Sequence, residues 1–355
     1  MKLPLLILLA GIARGEVTTL AHPAEAMPQK DTVVWSPLFQ ATWDKLNSEL
    51  GGKPDKVEPP NELMAKLDSF QWKADAVMPA GSWKTWSGPA TGEFLKRVND
   101  EAAKLTGESN GPFKLSQESA NNRAAFGLLD REVSFQKEFL RSRGEPLVFR
   151  ANGEKTPVHF FGCRDVMSGE LRESVKVLAF RPVDRSFALQ VACKEADDSV
   201  ILYLPAKAQD FTTACSWIRT WSTQAKTAKS NFGDWDDARL HELDEVRVPY
   251  VDLETVADLS SKLDSVRVYG SLPWRISRAE QLTRFQLHEK GARVRVEVSH
   301  EAVPFAEAED GPRIIPRRFV FDRPFFVFLW RDGAEWSYFG AWIGDASALK
   351  AFPQE

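Results

Sequence analysis

Few residues in this chain are spaced for chemistry. The run His241-Glu242-Leu243-Asp244-Glu245 gathers one imidazole and three carboxylates. A zinc protease helix needs a second histidine one turn on, and none follows here, so the run reads as a solvated charged segment. His159 and Cys163 flank Phe160-Phe161 on one face of a strand. Two ligands make no zinc site, and packing is the better reading. There are 5 histidines in all and no nucleophile–base pair. G-x-S-x-G, H-E-x-x-H, C-x-x-C and glycine-rich phosphate loops are all missing. No metal, no cofactor and no enzymatic activity is expected.

The informative stretch is 299–318, "SHEAVPFAEAEDGPRIIPRR". It joins two clear strands yet has neither helical nor strand periodicity. It carries Pro304, Pro312 and Pro316, then Glu301, Glu307, Glu309 and Asp310, then Arg313, Arg317 and Arg318. Loops beyond roughly 12–15 residues are uncommon in compact domains and are usually functional or disordered. Two readings stand: an unstructured surface loop, or a loop displayed as bait for a protease with Arg313 at its tip.

The elements around this stretch must hold it. The 355 residues are 43% hydrophobic and 27% charged, a globular composition. The 23 Phe and 12 Trp fit a large core with extensive sheet. Net charge is −4 and basic residues are scattered, which gives nucleic-acid binding no support. At the N-terminus, Lys2 precedes an apolar run from Leu3 to Ile12 and the small residues of Ala13-Arg14-Gly15. That pattern is a cleaved secretory signal over 1–15, leaving a domain over 16–355, secreted to an extracellular or periplasmic space. The run is too short for a membrane span, which takes roughly 20 residues. Cys163, Cys193 and Cys215 are an odd set in apolar contexts and read as buried free thiols.

Residues 16–31 read as an extended lead-in. A short strand in "TVVW", Ser36 as N-cap with Pro37 at the first helical position, and a helix with Leu38, Thr42, Leu46 and Leu50 on one face follow. A second helix covers about 60–70, "MPAGSWKTWSGPATG" reads as loop, and Phe94, Leu95, Val98, Ala102 and Leu105 mark an amphipathic helix stopped by Gly107. From about 123 strands dominate, with a hairpin turn at Asn152-Gly153. A helix returns with Phe211, Cys215, Ile218 and Trp221 in line, and "VADLSSKL" reads as a short one. The last hairpin, "FVFDRPFFVFLWRDGAEWSYFGAWIGD", turns at Asp332-Gly333 and is apolar on both faces, so it belongs in the middle of the protein.

These pieces resemble the serpin family, whose fold is α+β with mixed and antiparallel sheets, surrounding helices and an exposed reactive-centre loop. The terminal hairpin, with Phe321-Asp322-Arg323-Pro324-Phe325 leading into it, is similar to that family's closing pair of strands. "WSPLFQATWDKL", "RVNDEAAKLTG", "TPVHFFG", "SVILYLP", "VRVPYVDLETVADLSSKL" and "GARVRVEVSHEA" resemble further family segments, in family order across about residues 33–345. There are departures. The family's first long helix is missing or reduced to 16–31, the span 70–90 is short, and Phe139 stands where a tryptophan is expected.

The resemblance implies an inhibitor of an exported trypsin-like serine protease, monomeric, with Arg313–Ile314 as the scissile bond. It also implies a hinge over Ser299, His300, Glu301, Ala302, Val303, Pro304 and Phe305 that enters a sheet after cleavage. Proline removes a ladder donor, and a buried His300 needs a partner. Those residues favour the alternative, a non-inhibitory serpin-fold binding protein.

Overall fold

The computed structural model describes residues 17–142, 144–163, 169–227, 238–293 and 316–353. The proposed signal over 1–15 lies outside them.

The chain begins with two short parallel strands, β1 (Thr18–Leu20) and β2 (Val33–Trp35). Helix α1 (Leu38–Glu49) follows with Pro37 as its cap residue. Ser36 still serves the junction: its hydroxyl accepts from Leu38 N–H (3.3 Å) and donates to the Tyr338 carbonyl (3.0 Å). The face α1 buries is Gln40, Ala41, Trp43 and Asn47, whereas Leu38, Thr42, Leu46 and Leu50 are only half-buried. Polar side chains can face inward because they have partners. Gln40 Nε2 donates to the Leu67 carbonyl (2.8 Å) and Trp43 Nε1 to Asp68 (2.7 Å).

Next come β3 (Lys56–Glu58), α2 (Glu62–Ser69), capped by Asn61, and the single turn α3 (Ala74–Val77). The segment read as loop is strand β4 (Trp83–Ala90). Helix α4 (Gly92–Thr106) is as expected, with Thr91 accepting from Phe94 N–H and Gly107 at φ 73° closing it. The strands then run β5 (Ser119–Leu129), β6 (Glu132–Ser134), β7 (Leu140–Arg141), β8 (Leu147–Ala151), β9 (Glu154–Val158) and β10 (Phe160–Cys163). Asn152 (φ 54°) and Gly153 (φ 84°) make the β8–β9 turn. After α5 (Gly169–Ser174) come β11 (Val175–Arg181), β12 (Ser186–Ala192), β13 (Asp198–Leu204) and α6 (Phe211–Thr227).

The last third holds β14 (Glu245–Pro249), β15 (Val251–Asp258), β16 (Val266–Tyr269) and β17 (Leu272–Arg275). The helix expected at "VADLSSKL" is instead the end of β15 and one 3-10 turn at Ser260–Leu263. β18 (Glu280–His288), β19 (Gly291–Arg293), β20 (Arg318–Val320), β21 (Phe325–Arg331) and β22 (Phe339–Ile343) complete the chain.

The architecture is α+β. Its largest sheet has the order β1-β2-β22-β21-β13-β12-β11, so the terminal hairpin is central as expected. Alternation along β21 splits it between two cores. Phe325, Val327 and Leu329 face a large core shared with the smaller sheets, and Phe326, Phe328 and Trp330 face α6. Phe211 of α6 meets Phe326 at 5.5 Å. A four-stranded sheet, β20-β14-β10-β7, and a second, β15-β18-β19-β6, flank that core.

Candidate functional site

Ser299 to Phe305, Arg313 and Ile314 lie outside the described residues. The structure defines the two ends that hold this stretch, β19 before it and β20 after it.

The first end is set by pairing on both sides. Of "GARVRVEV", the described part Gly291–Arg293 is strand. The chain turns at Glu289-Lys290, and Gly291–Arg293 runs back along β18, with Leu287 opposite Ala292 and Gln286 opposite Arg293. On its other side β19 pairs with β6, Ala292 opposite Val133 and Arg293 opposite Glu132. The chain therefore leaves Arg293 from within a sheet, not from its rim. Glu289 pins the turn: it is 5% exposed, accepts from Arg141 Nε (2.5 Å), and its carbonyl accepts from Phe139 N–H (2.9 Å). Burial opposes ionisation of the Glu289 carboxyl. Hydrogen bonds from its own backbone, Tyr250 and Arg141 outweigh that and hold it below the usual range.

Above β19 the sheet is split. Asp130 N–H donates to the Ser82 carbonyl on the β4 side, and Phe135 N–H to the Lys290 carbonyl on the β19 side. Successive residues of an antiparallel strand aim their backbone groups at opposite edges. An odd number of steps separates 130 from 135, so β4 and β19 flank opposite edges of the β5–β6 strand. Along Ser119–Leu129 the edge away from β4 has no strand partner among the described residues. The same holds for Glu280–Phe285 of β18 on the side away from β15. β19 thus joins the feet of two strand edges that have no further strand partner among the described residues. Unpaired edges are ready templates for another strand. One face of β4–β5 is covered by α4, with Phe94 on Phe126 at 6.1 Å. On α1, Leu38 and Thr42 back Gly127.

The second end is clamped. β20 pairs in parallel with β14, Glu245 opposite Arg318. Arg317 N–H donates to Asp244 Oδ1 (2.8 Å), while Nε (3.0 Å) and Nη2 (2.6 Å) reach Oδ2; Nη2 also donates to the Arg239 carbonyl. Asp244 is fully buried, and the guanidinium lies 5.3 Å from the Phe319 ring centre. The "HELDE" run is therefore the turn that anchors Arg317. No periodicity marks this pair, whose members are 73 residues apart.

The remaining candidates pack. His159 lies against Phe352, 4.8 Å between ring centres. The three cysteines are thiols, Cys163 and Cys215 buried and Cys193 partly so. Burial pushes each thiol up to about 12. Among the described residues no group of three or more His, Cys, Asp or Glu could hold a metal, and no helix is long and apolar enough to cross a membrane.

The chain matches no family model and no curated protein. Among solved structures it is similar to the one titled "Crystal Structure of a Thermophilic Serpin, Tengpin, in the Native State". Identity is 11%, 90% of each chain is covered, and the TM-score is 0.49, too distant a likeness to carry function.

Proposed function

We propose that this chain is a serpin-like protease inhibitor, exported after loss of residues 1–15. Its loop over about 299–318 is offered to a trypsin-like serine protease, with Arg313–Ile314 as the scissile bond. After cleavage, the segment following β19 lengthens that strand into a slot between β18 and β5. The observation that carries this reading is the seating of β19 between β18 and β6, at the foot of two unpaired edges.

The sequence beyond β19 supports it. Ala292 is fully buried. From there Ala292, Val294, Val296 and Val298 alternate with Arg293, Arg295, Glu297 and Ser299, the pattern of a half-buried strand. In the register of β19, Val294 would meet Phe285 and Val296 would meet Thr283, both of which face inward. On the other strand His300 would meet Ala125, and Pro304 would fall opposite Asn121, near the start of β5. The hinge expected at Ser299 thus begins at Gly291, and the proline that argued against insertion moves to the end of the slot, where a missing donor costs little.

Pro304-Phe305 and the acids Glu307, Glu309 and Asp310 favour a second reading, a non-inhibitory serpin-fold binding protein. One experiment separates the two. The protein is incubated with trypsin, complexes are sought by SDS gel, and the nicked form is melted beside the intact one. Inhibition by insertion gives an SDS-stable complex, a C-terminal fragment starting at Ile314, and a melting midpoint raised by more than about 10 °C, several kcal/mol in a chain this size. Substrate-like cleavage with an unchanged midpoint leaves the binding protein.

A further inference from the structure

A cleft at the edge of the largest sheet is built from β11, β12, β13 and α6. Trp217 of α6 is 41% exposed. It is stacked on Trp221 (ring centres 5.7 Å apart, interplanar angle 23°), and Tyr203 of β13 meets Trp221 edge-on at 5.2 Å. The indole platform is therefore held rigid from behind. Around it the polar groups are oriented but not fully used. Asp184 Oδ1 accepts from Ser186 N–H (2.9 Å) and Oγ (2.6 Å), which fixes the carboxylate while Oδ2 has no described partner. Gln209 Nε2 donates to the Tyr203 hydroxyl (3.1 Å), and Gln209 Oε1 is buried with no hydrogen-bond partner among the described residues. Arg181, exposed at the end of β11, lines the same cleft.

We infer that this cleft binds a neutral pyranose unit of a saccharide, its C–H face on Trp217 and its hydroxyls on Asp184 and Arg181. The combination selects this chemistry. An apolar ligand would strip water from an arginine and a carboxylate without replacing their hydrogen bonds. An anion would meet Asp184, and a quaternary cation, the usual guest of an aromatic cage, would meet Arg181. A sugar ring has an apolar face for the indole and hydroxyls that both donate and accept at its rim. Small-molecule sites pair an apolar surface with a few fixed polar groups in this way.

The test is calorimetric titration of the full chain with maltose, cellobiose, lactose and chitobiose, with tryptophan fluorescence followed in parallel and choline as the charged control. Expected is saturable binding of at least one disaccharide in the millimolar range, about −4 kcal/mol at 1 mM. Trp217→Ala and Asp184→Asn should each weaken it about tenfold or more. Asp184→Asn keeps the acceptor that Ser186 needs, so it decides the matter alone if Trp217→Ala does not fold. Tighter binding of hexasaccharides than of disaccharides would mark a glycan chain as the source. No saturable signal with any disaccharide up to about 20 mM, binding that both variants retain, or choline binding in place of sugar would overturn the inference.

Discussion

Gly291 passes so close to Val133 that a Cβ on it would overlap the Val133 carbonyl oxygen and lie 2.9 Å from the Ser134 Cα. Its φ of 154° is also one that residues with a side chain rarely adopt. β19 can occupy its place between β18 and β6 only because this position has no side chain. Gly291→Ala should therefore pry β19 from β6 and destabilise the protein by about 2 kcal/mol or more, since the obstacle is backbone and cannot rotate away. A urea melt measures this. A loss under about 0.5 kcal/mol, the scale of a neutral surface change, would show that β19 is not fixed in the sheet.

The central hairpin gives a second prediction. Phe326 and Phe328, two residues apart, share the α6 face and stack at 5.4 Å, while Phe325 looks into the other core. All three are fully buried. Phe325→Ala and Phe328→Ala should each cost roughly 3–5 kcal/mol in denaturant. A nearly neutral result for either would place that face of the sheet in water.

How much of this was legible in the sequence depended on whether the signal was local. The Asn152-Gly153 turn, the capped helix from Thr91 to Gly107 and the two-faced apolar hairpin are written in neighbouring residues, and all are found. β4 was missed because Ser82, Gly88 and Pro89 look like loop residues. Gly88 is small because the Phe94 ring of α4 lies on it, where a Cβ would come within 2.9 Å. The place of Gly291 is likewise set by a partner far away in sequence, Ser134, opposite which it pairs. α1 misled in another way. Leu38, Leu46 and Leu50 have the helical period, but the buried face is Gln40, Trp43 and Asn47, chosen by hydrogen-bond partners on α2 and beyond.

One of those partners supports a third prediction. Arg267 is fully buried, its guanidinium 4.2 Å from the Trp43 ring centre, with Nη2 donating to Asn47 Oδ1 (2.6 Å) and Asp68 Oδ1 (3.2 Å). Its Nε and Nη1 have no hydrogen-bond partner among the described residues. Asp68→Ala leaves a buried cation unpaired and should cost about 3–5 kcal/mol. Arg267→Met should cost less, because Asp68 keeps its bonds from Trp43 and Asn47. Urea melts that rank the two the other way would mean Arg267 is stabilised by something besides Asp68.

Stability should also depend on His22. Its ring meets Phe70 edge-on at 4.9 Å, and Nδ1 accepts from Ala24 N–H (3.1 Å). Burial lowers it to about 4, against a favourable charge from Glu25 and with an unfavourable one from Lys66. The unfolded chain, titrating near 6.5, binds the proton more readily between those values. His22 therefore contributes stability that is complete above about pH 6.5 and is lost as pH falls towards about 4. His22→Asn keeps an acceptor without the titration. Melts of both proteins from pH 4 to 7.5 should converge at low pH and separate in favour of wild type on rising through that window. Parallel profiles would mean that His22 is not held neutral by the fold.

The last prediction tests the register of insertion apart from inhibition itself. If cleavage lets the segment after β19 enter the slot, Val296 arrives opposite Thr283, on the face where Phe285 and Leu287 are buried. Val296→Asp would then bring a carboxylate with no partner into the core, at a cost of several kcal/mol. Arg295→Asp, one residue earlier, would face outward and cost little, because a one-residue step changes the face. Each variant is cut with trypsin and its melting midpoint compared with that of the same variant uncut. The rise on cleavage should vanish in Val296→Asp and survive in Arg295→Asp. The opposite pattern would shift the register by one residue and bury Arg295 and Glu297 instead. Equal rises in both variants would mean that the cut segment never enters the sheet at these positions, and that any gain in stability arises elsewhere.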